Sequence, residues 1–146
     1  HYKMAMKKDS LLTPVYSNLA TAYSLIKDNL NAIEILDKWI KLEPKQGRPH
    51  FLKALLYFEI GDSVLAISEL ELAIKRDPND TRSMYNIATY YYQKNKDLVL
   101  AEKYVKNALK IEPENQNYQY LLALIYQQQG QTEKSQRLMK ALQSNQ

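Results

Sequence analysis

The sequence predicts an all-α fold, an α-solenoid of antiparallel helix pairs. Prolines at Pro44, Pro78 and Pro113 recur 34 and 35 positions apart. Between them the apolar residues fall on helical stripes, with a 3.6-residue period broken at polar turns. Small residues and tyrosines also return at the same phase in each copy. A self-similar period in this range is what stacked helical hairpins produce.

Composition bounds the function. The chain has 146 residues, enough for one compact domain or a short repeat array. A hydrophobic content of 45% argues for a folded chain, and no apolar run approaches the roughly 20 residues of a membrane helix. Cysteine is absent, which excludes disulfides, thiolate metal sites and a cysteine nucleophile. The net charge is +4, with lysines dispersed beside acidic residues rather than in blocks or basic–aromatic motifs. A nucleic-acid footprint is therefore not expected. The reading is of a soluble chain whose composition does not choose between cytoplasm and periplasm.

Residues 1–12 are read as the end of a truncated upstream repeat, because Lys3–Ser10 aligns with Lys106–Pro113. Repeat 1 covers 13–46. Thr13 is expected to cap its first helix and Pro14 to occupy the first helical position, where a missing N–H costs nothing. Leu19, Ala20 and Tyr23 form that helix's stripe, Asp28-Asn29 breaks it, and Ala32, Ile33, Leu36 and Ile40 form the next. Pro44 forces Glu43 out of the helical region. Repeat 2, 47–80, follows the same plan through Ala54, Tyr57, Gly61-Asp62, Ala66, Leu70 and Ala73. Repeat 3, 81–115, carries one extra residue, expected in the turn Asn95-Lys96-Asp97. Repeat 4, 116–146, ends in a cap-like helix whose apolar positions turn polar, as at Gln136 and Gln143.

Packing explains the repeated residues. Ala20, Ala54, Ala88 and Ala123 are expected opposite Ala32, Ala66, Ala101 and Ser135, since helices approach to about 8–10 Å only over small side chains. Tyr23, Tyr57, Tyr91 and Tyr126 would fill the space between neighbouring helices. Three residues depart from this plan. Lys53 stands at an apolar position, its stem packed and its ammonium expected to reach outward. His50 stands in phase with Tyr16, Met84 and Gln119 and is read as structural. Trp39 replaces a small residue and is expected to pack against the next repeat, with Gly47 and Pro49 making room.

Repeat 1 reads Tyr16, Leu19, Ala20, Tyr23, Ala32, Leu36, Trp39, Pro44, and repeat 3 reads Met84, Ile87, Ala88, Tyr91, Ala101, Val105, Ala108, Pro113. With repeats 2 and 4 in the same phase, the chain resembles the tetratricopeptide repeat family over 13–146. That resemblance implies a right-handed superhelix whose first helices line a concave face. The family's groove positions fall here on Asn18, Arg48, Phe51, Leu55, Phe58, Arg82, Tyr85, Asn86, Thr89, Tyr92, Tyr120 and Leu124, with Thr21 beside them. The five-residue clamp by which some members grip acidic chaperone tails falls on Ser17, Thr21, Leu52, Arg82 and Asn86, and only Arg82 keeps its chemistry. The asparagine ladder of other members is partial, with Asn18 and Asn86 kept and Leu52 and Leu121 in place of the rest.

No catalytic constellation stands out. Three glycines make no phosphate loop, and two histidines, one of them terminal, make no metal or triad set. No enzyme activity, cofactor or metal is expected. The functional expectation is a non-catalytic protein–protein interaction module holding a peptide segment in an aromatic groove. The alternative is a C-terminal structural repeat domain of a larger multidomain protein, mediating intramolecular packing or oligomerisation. The sequence does not fix the oligomeric state.

Overall fold

The computed structural model describes the backbone of residues 2–144 and the side chains of residues 13–144. Its described residues form eight helices and no strands. Residues 1–78 and 79–146 make two compact units.

Unit 1 holds α1 (Tyr2–Leu25), α2 (Asn29–Leu42), α3 (Arg48–Ile60) and α4 (Ser63–Arg76). α1 pairs with α2 and α3 with α4, and α2 also packs on α3. Asp28 and Asp62 cap α2 and α4 by accepting from the N–H groups of Asn31 and Leu65. Glu43 and Asp77, each before a proline, leave the helical region and end those helices. Between the first hairpin and α3 the core is Ala20, Ala32, Leu36 and Trp39 with Leu56 of α3, flanked by Tyr16, Tyr23 and Leu52.

Unit 2 holds α5 (Thr81–Gln93), α6 (Leu98–Ile111), α7 (Gln116–Gln128) and α8 (Thr132–Ser144), paired in the same order. Asp80, Asp97 and Asn115 cap α5, α6 and α7. Ile87, Ala88, Ala101, Val105, Ala108, Ala123 and Ile125 are wholly buried. The eight small residues expected at helix crossings, Ser135 among them, are all buried.

A left-handed residue closes each first helix: Lys27, Gly61, Asn95 and Gly130, 34, 34 and 35 positions apart. In three turns the next residue begins the second helix's cap, whereas Lys96 intervenes between Asn95 and Asp97. The extra residue of the third repeat therefore sits in the turn, as the sequence implies.

Three expectations need correction. α1 runs unbroken from Tyr2 to Leu25 with Pro14 inside it, so no helix starts at Thr13. Thr13 does not cap, because its hydroxyl donates to the Glu43 carboxylate at 2.9 Å and binds α1 to the end of α2 instead. Leu19, placed on the buried stripe, is exposed, since α1 packs chiefly on α2. Lys53 does not reach outward: its ammonium turns in to Asp37 on α2 and Glu69 on α4. The side chains behind the alignment of residues 1–12 lie outside the described residues.

Trp39 is fully buried, and its Nε1–H donates to Glu43 Oε2 at 3.0 Å. Room for the following helix comes from Gly47, where a Cβ would stand 2.8 Å from the Ala73 carbonyl oxygen. Unit 2 repeats the threonine–carboxylate contact: Thr81 donates to Glu112, and Tyr118 Oη donates to Thr81 at 3.0 Å.

Candidate functional site

The first helix of each hairpin carries the residues expected to line a groove, and each unit places them differently. In unit 1, α1 and α3 enclose an open hollow of about 210 Å³. Its floor is the buried core of Ala20, Leu36 and Leu56, and Leu52 and Leu55 rise from α3. Leu25, Thr21 and Ser24 close it from α1, and Glu59 stands at its end. Glu59 is held by Lys27 at 3.0 Å, an exposed ion pair that contributes at most about 1 kcal/mol and yields readily to a competing charge. The Thr21 hydroxyl donates back to the Ser17 carbonyl, turning the α1 wall's polar group inward.

Of the residues expected in unit 1, Leu55 lines this hollow, joined there by Thr21. Asn18 and Arg48 are exposed outside it and Phe58 is half-buried. Phe51 is 7% exposed and belongs to the core. Leu25, Ser24 and Glu59 also line the hollow and are not among the groove positions expected from the sequence. Leu25 and Glu59 were findable, since each stands one helical turn beyond a named residue, Thr21 or Leu55, at the same repeat phase.

In unit 2, Arg82 is exposed, and Tyr85, Asn86, Thr89, Tyr92 and Leu124 are half-buried. Tyr85 stacks at a tilt on Tyr118, with ring centroids 5.1 Å apart, which ties α5 to α7. Asn86 Nδ2 donates to the Arg82 carbonyl at 2.8 Å. The Thr89 hydroxyl is buried without a hydrogen-bond partner. Tyr120 is half exposed and stands apart from these residues, in a polar hollow of about 400 Å³ with Gln116, Asn117, Met139, Leu142 and Gln143.

A charged cluster braces three helices of unit 1, α2, α3 and α4. Lys53 Nζ lies 2.8 Å from Asp37 and 3.0 Å from Glu69, and Glu69 meets His50 Nδ1 at 2.8 Å. Burial alone pulls the Lys53 pKa down, but hydrogen bonds to Asp37 and Glu69 outweigh it and hold the ammonium above its ordinary value. Burial likewise pushes Glu69 up, and its bonds to His50 and Lys53 bring the carboxyl below the usual range. With His50 buried and paired, this is a structural brace, as expected of that histidine. In unit 2, Lys106 and Lys134 stand over the face of Tyr126, and Lys106 pairs with Glu102.

Among the described residues no group of three or more acidic or histidine side chains is arranged to hold a metal ion. No described helix is long and apolar enough to cross a membrane.

Comparison with known proteins agrees with the fold. Two tetratricopeptide repeat models match the chain, one over residues 13–46 and 47–80 and one over 92–146. The chain is 24% identical over 124 residues to human (Homo sapiens) Protein O-mannosyl-transferase TMTC3, covering 84% of this chain but 13% of that protein's length. Among solved structures, the crystal structure of MamA superposes with a TM-score of 0.78 at 20% identity, covering 98% of this chain and 83% of MamA. The first tetratricopeptide repeat domain of Spaghetti (RPAP3), solved with the HSP90 peptide SRMEEVD, superposes with a TM-score of 0.70 at 21% identity, covering 80% of this chain and 91% of that one. At these identities the structural likenesses establish the fold, an all-α tetratricopeptide repeat solenoid.

Proposed function

This chain belongs to the tetratricopeptide repeat family, and from that premise we propose that it is a non-catalytic module that binds an extended peptide segment of a partner protein along its first helices. The observation that carries this reading is the hollow between α1 and α3. At about 210 Å³ it falls below the ~300 Å³ lower bound of ordinary small-molecule sites, a size that suits one large apolar side chain. Its walls of Leu25, Leu52 and Leu55 fit an aliphatic or aromatic anchor. Arg48, exposed at the start of α3, offers a guanidinium to an acidic group on the same segment. The Spaghetti (RPAP3) domain binds an acidic peptide, but Ser17, Thr21 and Leu52 stand here at clamp positions. That departure favours an apolar anchor over an acidic tail.

The test is selection of a displayed peptide library on the wild-type chain, followed by calorimetry of the winners. Leu55→Glu and Leu25→Glu are expected to weaken binding by roughly tenfold or more, while circular dichroism and melting stay near wild type. Winners without an apolar anchor, or binding untouched by both substitutions, would overturn the reading. The alternative, a structural domain that packs within a larger protein or self-associates, draws support from the aliphatic turn edge described next.

A further inference from the structure

Unit 1 leaves aliphatic side chains in water at both of its hairpin turns. Ile26 and Leu30 flank the α1–α2 turn and are 70% and 80% exposed; Ile60 and Val64 flank the α3–α4 turn at 50% and 80%. These are equivalent repeat positions, 34 apart, so the exposure belongs to the repeat and is not a stray side chain. The Lys27–Glu59 ion pair, at 3.0 Å, shows that the two turns are neighbours. Leu65, 45% exposed, adds to the aliphatic surface of the second turn. The largest such patch on an ordinary monomer is about 300–600 Å² and is often functional. This edge lies at the helix ends, away from the floor of the hollow, and the inference does not depend on peptide binding.

Charge selects the occupant. Asp28 and Asp62, the N-caps of α2 and α4, stand among these aliphatics, while Glu59 is matched by Lys27. The edge is therefore acidic in a chain of net charge +4, which disfavours an anionic lipid surface. Two such edges face to face would oppose acid to acid. The α5–α6 turn of unit 2 has the complementary character. Val99, equivalent to Leu30 and Val64, is 75% exposed, and beside it the exposed Lys94 and Lys96 outweigh the single cap carboxylate of Asp97, leaving this turn net positive. We propose that the acidic, aliphatic turn edge of unit 1 docks on the basic α5–α6 turn of unit 2 of a second copy of this chain. A contact between unlike surfaces either closes reciprocally into a pair or extends into a chain.

Sedimentation of the full chain across a concentration series tests this, with circular dichroism as the folding control. The wild type is expected to self-associate, and association is expected to weaken with salt. A variant with a disabled unit 1 edge (Leu30→Ser, Val64→Ser) and one with a disabled unit 2 turn (Lys94→Glu, Lys96→Glu, Val99→Ser) should each sediment as monomers. Mixed together they should associate, because one intact edge of each kind remains. A monomeric wild type, association unchanged in either variant, or a mixture that stays monomeric would overturn the proposal.

Discussion

Glu69 on α4 meets Lys53 on α3 at 3.0 Å, in a position where both side chains are 12% exposed. Removing one partner from such a pair leaves the other charge buried and unmatched, at a cost of about 3–5 kcal/mol when burial is complete. Glu69 is the hub, since it serves both His50 and Lys53. Glu69→Ala is therefore expected to cost roughly 2–4 kcal/mol, at the lower side of that range because some water reaches the site. Lys53→Met keeps the apolar stem and leaves Glu69 bonded to His50, so it should cost less. Urea unfolding of both variants and the double mutant measures the coupling; independent, additive losses would contradict the pairing.

The same cluster sets a pH window. Glu69 is held below its ordinary value in the folded chain, so the unfolded chain binds its proton first as pH falls. Its contribution is complete above the usual glutamate range and is lost as pH drops through the depressed folded value. Lys53 is held above its ordinary value of 10.5, so its contribution persists below that pH and is lost as pH rises through the raised one. The urea midpoint of the wild type should thus decline at both ends, and Glu69→Gln should flatten the acidic limb.

The scaffold was legible because it repeats. Ala20, Ala54, Ala88 and Ala123 return at one phase, and a feature set by local spacing can be read without knowing what lies across the helix. The brace was not legible, because Asp37, Lys53 and Glu69 come from three helices, and neither Lys53 nor Glu69 has a charged counterpart in the other repeats. Lys53 alone reads as a snorkelling side chain, and only its two carboxylate neighbours turn it inward. Thr13-Pro14 has the signature of a helix start, yet the backbone stays helical and Glu43 takes the hydroxyl. For the candidate site, Leu55 was readable from its phase, while the same periodicity did not tell that Phe51 is buried in the core.

Trp39 gives a spectroscopic check on the first hairpin. It is fully buried and its indole N–H is bonded to Glu43 at 3.0 Å, so folded-state emission should be blue-shifted and should move red on unfolding. Trp39→Phe keeps most of the apolar volume but removes the donor, leaving Glu43 with Thr13. The expected loss is roughly 1–3 kcal/mol, the range for a hydrogen bond to a charged group. Red-shifted emission from the folded chain would contradict the burial.

The last prediction concerns the four left-handed turn residues. Gly61 has φ +92°, a conformation that strains any side chain, so Gly61→Ala should destabilise by about 1 kcal/mol even though open space surrounds it. Lys27 occupies the equivalent position at φ 64° and already bears that strain. Lys27→Gly relieves it but loses the ion pair with Glu59, whose exposed partner has a side chain 79% accessible. Because such a pair contributes little, relief should win and the melting temperature should rise. Glu59→Gln separates the two effects, since it removes the ion pair and leaves the Lys27 backbone as it is. If Glu59→Gln and Lys27→Gly both lower stability, the ion pair rather than the backbone governs that turn.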